Sequence, residues 1–125
     1  MNRQNISGTS PFEAIIGFSR AVRIGNVVHV SGTGPVGAED LSASEQTRHV
    51  LALIETALHQ AGAKFEHVVR TRMFLANVED WQEVGRAHGE VFGSIRPAAT
   101  MVIAQMLNPK WRVEIEADAV LPDAG

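Results

Sequence analysis

The sequence predicts an α+β protein in which two helices pack on one face of a mixed β-sheet. Three observations support this fold class. Short segments rich in β-branched residues alternate apolar and polar side chains, as strands with one buried face do. Two longer segments carry apolar residues at helical spacing. The predicted order is β-β-α-β-α-β-β, and both helices need the sheet to bury their apolar stripes.

The N-terminal quarter of the chain predicts an arm followed by a hairpin. Residues 1–12 are polar and are expected to form a loosely held arm of a single domain that spans residues 1–125. Residues 18–32 predict a hairpin, because Gly25-Asn26 is a tight-turn dipeptide between two β-rich runs.

The first helix is predicted after a glycine-rich loop. Ser42 or Ser44 is expected to cap it, and Glu45 follows Ser42 at the spacing of a capping box. Apolar residues then recur at helical spacing until Gly62, where the helix is expected to end.

The second half predicts a strand, a helix and two more strands. Residues 67–77 form the strand, with Val69, Thr71, Met73 and Leu75 on one face and Arg70, Arg72 and Phe74 on the other. Asp80 is expected to cap the second helix, and Gly93 to end it. Its predicted buried stripe comprises Trp81, Val84, Ala87, His88 and Val91. The last strands are predicted in residues 98–106 and 112–121. Phe74 and Phe18 would leave the helix-free sheet face partly apolar, so we expect a partner to cover it.

Composition excludes several classes of function. The 125 residues carry a net charge of −3 and few aromatics, which does not favour a nucleic-acid-binding surface. The absence of cysteine excludes disulfides, thiolate catalysis and the cysteine-ligated zinc of deaminases. No segment resembles a signal peptide or a membrane span, so a cytoplasmic location without membrane contact is expected.

The stretch "VEIEADAV" (residues 113–120) places three carboxylates on one strand face. Arg70 and Arg72 could pair with Glu116 and Asp118 across strands, which would explain two of the acids structurally. Glu114 then remains, near the turn where a pocket could open. The sequence alone leaves a solvated face, a subunit contact and a binding site as alternatives.

Other candidate sites carry weak signals. His88 and Glu90 do not face each other on a helix, so His88 is better explained as a core or interface histidine than as a metal ligand. The pattern Gly32-x-Gly34-x-x-Gly37 lacks the helix that a phosphate loop requires. Backbone N–H groups near Ser31 and Gly32 could bind an oxyanion. These residues predict no metal site.

An ordered set of segments resembles the reactive-intermediate deaminase family, also called the YjgF or endoribonuclease L-PSP-like family. The segments are "RIGNVVHVSGTGPV", "QTRHVLALIETALHQAGAKFEHVVRTRMFLANVEDW", "HGEVFG", "IRPAAT" and "VEIEADAV", and together they span about residues 18–121. The resemblance implies a chorismate-mutase-like fold and a homotrimer whose open sheet faces meet at the centre. It also implies small-molecule clefts between subunits, where family members hydrolyse enamines and imines without a metal or cofactor.

The resemblance also implies site residues, and this chain departs from two of them. Glu114 occupies the position of the catalytic glutamate, and Ser31-Gly32 that of a backbone "S-G". Phe18 stands where the family has tyrosine, and Ala99 stands where an arginine grips the substrate carboxylate. The chain is therefore expected to belong to a divergent branch in which imine deaminase activity does not transfer by default.

Two ligand types stay open at this point. Arg20, or less favourably Arg96, could replace the missing arginine and bind an anion. Alternatively, a cleft lined by Phe18, Ala99, Met101 and Trp111 would be apolar and would prefer a neutral or aromatic ligand. The function hypotheses are a cofactor-free imine deaminase-like hydrolase that uses Glu114, or a non-catalytic small-molecule-binding or metabolic-protection protein. The acidic balance argues against a ribonuclease.

Overall fold

The computed structural model of the protein describes residues 2–123 and contains one mixed sheet and two helices. The elements are β1 Arg3–Ile6, β2 Ala21–Ile24, β3 Val27–Thr33, α1 Ala43–Gln60, β4 Val68–Leu75, α2 Trp81–Phe92, β5 Ala98–Ile103 and β6 Val113–Val120. Across the sheet the strand order is β1-β2-β3-β6-β4-β5. The β4–β5 pair is parallel and the other neighbours are antiparallel. The predicted α+β class is confirmed.

The N-terminal segment is more ordered than expected. The polar run Arg3–Ile6 forms the edge strand β1, which pairs with β2 and buries Ile6. A single turn of π-helix follows at Glu13–Gly17, and Gly17 has a positive φ of 87°. The expectation of a loosely held arm was wrong, because an edge strand needs only one buried side chain and carries no strong pattern. The π-helical turn also delays the start of the next strand, β2, to Ala21.

The first helix forms as the sequence predicts. Ser42 is the N-cap, its hydroxyl accepts a hydrogen bond from the Glu45 backbone N–H at 3.2 Å, and the capping box is complete. After the C-cap, Gly62 takes a positive φ of 84° that favours glycine. The buried face of α1 packs on β3, β6 and α2.

Two details of the second half differ from expectation. A register shift between Val68 and Arg70 turns Val68 into the core and leaves Val69 48% exposed, because a bulge reverses the side-chain alternation there. Trp81 is 53% exposed, since it is the first residue of α2 and lies outside the stripe, which includes Phe92 instead. Asp80 is the N-cap residue, but its side chain makes no capping hydrogen bond.

The alternation of β6 separates the two faces of the sheet. Val113, Ile115, Ala117 and Ala119 are buried toward the helices. The other face, which we call the open face, carries Glu114, Glu116 and Asp118 on β6 and Arg70, Arg72 and Phe74 on β4. Neither helix within residues 2–123 combines the length and apolarity that crossing a membrane requires.

Candidate functional site

The three carboxylates of β6 have different surroundings on the open face. Arg72 donates hydrogen bonds to Glu116 at 3.2 Å and to Asp118 at 3.1 Å. His29 Nδ1 also lies 2.7 Å from Asp118 Oδ1. Glu114, by contrast, has no basic group within 4.0 Å among residues 2–123. Structural ion pairing therefore accounts for Glu116 and Asp118 and leaves Glu114 unexplained.

The predicted cross-strand pairing is correct for Arg72 and wrong for Arg70. Arg70 stands opposite Asp118 in register, but its guanidinium donates to Thr100 Oγ1 on β5 at 3.3 Å. Arg72 lies between both acids and reaches each of them, whereas Arg70 sits beside the bulge and turns toward the neighbouring strand.

Glu114 lies directly over the backbone of Gly32. A methyl group at Gly32 would come within 2.5 Å of Glu114 Oε2, so the carboxylate needs glycine at this point of β3. Burial raises the pKa of Glu114, the nearby charge of Arg20 opposes this shift, and Glu116 adds to it. A raised pKa makes a half-buried carboxyl a better proton acceptor when ionised and keeps it protonated to a higher pH than an exposed glutamate.

Arg20 lies beside this carboxylate and is held by the backbone of its neighbours. Its N–H donates to Ile6 O at 2.8 Å, and its carbonyl accepts from Ser31 N–H at 3.0 Å. The side chain crosses β3, where Nη2 donates to Gly32 O at 2.5 Å. Burial lowers the pKa of the guanidinium, while Glu13 and Glu114 oppose that shift.

Phe18 and Ser31 complete the cluster. The Arg20 guanidinium carbon lies 5.8 Å from the centre of the Phe18 ring, within the range of a cation–π contact. Ser31 Oγ donates to Ser19 O at 2.6 Å, which holds the residue next to Phe18 against β3. Five of the predicted site residues therefore meet within one chain: Phe18, Arg20, Ser31, Gly32 and Glu114.

Ala99 and Met101 do not join this cluster within the chain. They pair in parallel register with Thr71 and Met73, both of which are buried toward the helices. Met101 accordingly points toward α2, where its Cε would lie 3.9 Å from a methyl group at Gly85. Within one chain the register with β4 turns both residues to the helix face, so the predicted cleft that Ala99 and Met101 share with Phe18 would need a second subunit and stays a prediction.

Trp111 lies next to the cluster and contacts Gly34, two residues after Gly32. Its ring packs on Gly34, where any Cβ would overlap it. Gly34, which Trp111 contacts, lies two residues after Gly32, which Glu114 contacts. Two residues of extended chain span at most about 7 Å, so the two side chains contact neighbouring points of β3 and the loop after it. Trp111 also lines a cleft of about 400 Å³ together with Ile103, Gln105 and Met106.

The remaining candidates have structural explanations. His88 Nε2 is 2.9 Å from Thr71 Oγ1, and burial lowers the pKa of His88, as expected for a satisfied core histidine. Arg96 is exposed, has a positive φ of 57° and donates to Gly93 O at 3.2 Å. Among residues 2–123 no cluster of three or more His, Asp or Glu side chains could hold a metal ion.

Sequence reasoning missed Glu13. This residue lies in the π-helical turn, its two carboxylate oxygens accept from Gly8 N–H at 3.1 and 2.9 Å, and its charge acts on Arg20. No sequence signal indicated this, because the contact depends on the π-helical turn that folds residues 8–20 onto the sheet.

Comparison with known proteins gives consistent results. The family model for endoribonuclease L-PSP matches residues 8–121. An uncharacterized protein of Streptomyces coelicolor is 35% identical over 121 residues, covering 93% of this chain and 90% of the relative. The 3-aminoacrylate deaminase RutC of Acinetobacter baylyi is 31% identical over 104 residues, covering 79% and 82%. A crystal structure of a YjgF-family member from Mycobacterium tuberculosis matches with a TM-score of 0.90 and 45% identity, covering 96% and 100%.

Proposed function

Since the chain belongs to the endoribonuclease L-PSP (YjgF) family, we propose that it is a cofactor-free hydrolase of enamines or imines. Glu114 is its proton-transfer residue. The observation that carries this proposal is the environment of Glu114, which is half-buried, has a raised pKa and, within residues 2–123, has no ion-pair partner. The activity named for the RutC relative, deamination of 3-aminoacrylate, belongs to the same class of chemistry.

The chemistry needs one residue that both gives and takes a proton. Protonated Glu114 would donate to the imine nitrogen, or to the enamine carbon in an enamine substrate. The resulting carboxylate would accept a proton from the water that attacks the carbon. The tetrahedral adduct then expels ammonia and leaves a carbonyl product, so one imine and one water give one carbonyl compound and one ammonia.

The proposal includes a homotrimer with the small-molecule cleft between subunits. The open face supports this, because a sheet face that carries Phe74 and a 43% exposed Val102 is typical of a surface that a partner covers. Such an assembly could also bring Ala99 of one subunit toward the cluster of another. Native mass spectrometry that gives a monomer at micromolar concentration would contradict it.

The test is an imine-hydrolysis assay with a matched pair of variants. Freshly generated 2-aminoacrylate and a bulkier, aromatic-derived imine are each offered to the protein, and ketoacid release is followed. Glu114→Gln should lower the rate by at least about 100-fold, within the usual contribution of a general acid–base. Glu90→Gln is the control, since this carboxylate is also bound by an arginine, Arg48, but lies on α2 and does not act on Glu114, and it should keep most of the activity.

A non-catalytic small-molecule-binding or metabolic-protection protein is the second candidate. It is favoured by Phe18 and Ala99, which provide no hydroxyl and no charge at the two positions where the family resemblance implies them. Wild type that fails to hydrolyse either imine, while Ala99→Arg gains activity, would support a competent scaffold with another ligand. Binding that survives Glu114→Gln without any turnover would support the second candidate.

A further inference from the structure

Arg20 has hydrogen-bonding capacity that its neighbours do not use. A guanidinium presents five N–H donors. Nη2 of Arg20 donates to Gly32 O, while Nε is buried and has no acceptor within residues 2–123. An unpaired buried donor costs about 1–3 kcal/mol, so it calls for an acceptor such as a ligand or an ordered water. Arg70 Nε is also buried without an acceptor within residues 2–123, so the case for Arg20 rests on its place beside Glu114 as well.

The positive charge of Arg20 is also incompletely balanced. The groups that face it are Glu13 from the π-helical turn and Glu114 from β6, and neither is within 4.0 Å in the described part of the chain. Both oxygens of Glu13 already accept from Gly8 N–H. Burial favours the neutral form of Glu114, and Glu116, the other acid that acts on Glu114, is bound by Arg72.

The neighbours of Arg20 fix its orientation but leave some of its N–H donors without acceptors within residues 2–123. Its backbone is held by Ile6 and Ser31 on two neighbouring strands, and Phe18 lies 5.8 Å from the guanidinium carbon. A planar guanidinium fixed in this way matches the geometry of a carboxylate, which it binds through two parallel N–H···O bonds. Within one chain Ala99 and Met101 face the helices, so the groups beside the guanidinium are Phe18, Gly32 and Glu114.

We propose that Arg20 binds the carboxylate of the ligand, so that the ligands of this site are small organic monocarboxylates. The inference rests on the proposed function in taking the Glu114 cluster as the ligand site. Arg20 holds the anionic end, and Glu114 stands on the other side of Gly32, where it meets the reacting end. Arg20 thereby sets specificity for anions without the arginine that Ala99 replaces.

Anion binding at Arg20 is coupled to the proton on Glu114. A bound carboxylate repels the ionised form of Glu114 and favours the protonated form. The affinity for carboxylates should therefore fall as the pH rises and Glu114 ionises. Glu114→Gln removes this repulsion, so the variant should retain its affinity at the higher pH.

The experiment compares isosteric anions and neutral amides by titration calorimetry on the full chain. The probes are benzoate and propanoate against benzamide and propanamide, at a series of pH values from 5 to 8, which begins near the ordinary carboxyl range and follows the raised pKa of Glu114 upward. Wild type should bind the carboxylates and not the amides. Arg20→Gln should weaken carboxylate binding roughly tenfold or more, as the loss of a charged hydrogen bond predicts. Arg96→Gln is the control and should leave the affinity unchanged.

Three results would overturn the inference: amides that bind as well as carboxylates, unchanged affinity in Arg20→Gln, or loss of affinity in Arg96→Gln. Because Arg20 also bonds Gly32 O, circular dichroism must show that Arg20→Gln is folded. If it is not, Arg20→Lys keeps the charge but not the planar fork, and its affinity should fall between wild type and no binding.

The same variants separate this inference from the proposed function. Imine hydrolysis that depends on Glu114 but keeps its KM and kcat in Arg20→Gln refutes the anchor and leaves the hydrolase. Carboxylate binding that depends on Arg20 in a protein without turnover refutes the hydrolase and leaves the anchor.

Discussion

The contact between Gly32 and Glu114 can be tested by adding one methyl group. In Gly32→Ala the new Cβ would lie 2.5 Å from Glu114 Oε2 and 3.3 Å from its Cδ. The carboxylate must retreat by about 0.9 Å to reach an ordinary contact of 3.4 Å. A displacement of about 1 Å in a catalytic group can cost about 100-fold in rate. We therefore expect kcat/KM for imine hydrolysis to fall by about two orders of magnitude.

Stability should change much less than activity. Gly32 does not have a positive φ, so alanine can adopt its backbone conformation. The entropy that alanine removes from the unfolded chain favours folding by about 0.4–1 kcal/mol. Crowding against one movable carboxylate opposes this gain, so the free energy of unfolding should stay within about 1 kcal/mol of wild type. Urea denaturation measures this difference.

The matched control is Gly89→Ala. Gly89 is exposed on α2, and a methyl group there meets nothing within 4 Å. This variant should gain about 0.5–1 kcal/mol in helix stability and keep full activity. An NMR titration of the carboxyl carbons gives a readout that does not depend on turnover, since the Glu114 resonance should titrate differently only in Gly32→Ala. Wild-type kcat/KM and an unchanged Glu114 titration in Gly32→Ala would refute the contact.

Two further predictions concern pH dependence and helix capping. The raised pKa of Glu114 means that the folded state holds this proton more tightly than the unfolded state. Its contribution to stability is thus full below the ordinary carboxyl range and is lost as the pH rises through the folded pKa. Urea titrations from pH 4 to pH 8 should show Glu114→Gln becoming progressively more stable relative to wild type, and parallel curves would contradict the assignment. Ser42→Ala breaks the capping box with Glu45 and should cost about 1 kcal/mol, whereas Ser44→Ala should cost less, and equal losses in thermal unfolding would be inconsistent with Ser42 as the cap.

The elements with strong internal patterns could be predicted from the sequence. β6 alternates strictly, so both its faces followed from period two alone. In α1 the capping box and the apolar stripe predict the same helix start. The alternation of buried and exposed residues along β6 also predicts that Glu114 lies on the open face.

The elements that depend on distant partners could not be predicted. β1 buries one side chain, and its pairing with β2 depends on the π-helical turn between them. The bulge beside Val69 contains no glycine or other residue type that would indicate a bulge in the sequence. The family motif identifies the position of Ala99, but the face that Ala99 and Met101 occupy is set by the parallel register of β5 on β4, which local sequence does not encode.

The two edge strands of the sheet, β1 and β5, differ in how well their side chains prevent another strand from pairing with them. At one margin β1 carries Arg3, Gln4 and Asn5, polar side chains of the kind that discourage another strand from adding. At the other margin β5 reads Ala98–Ile103 without a charged residue, and its side chains are largely exposed. Its free N–H and C=O groups form a template for a further strand. Strand-to-strand association of this chain is therefore expected to begin at β5 and not at β1.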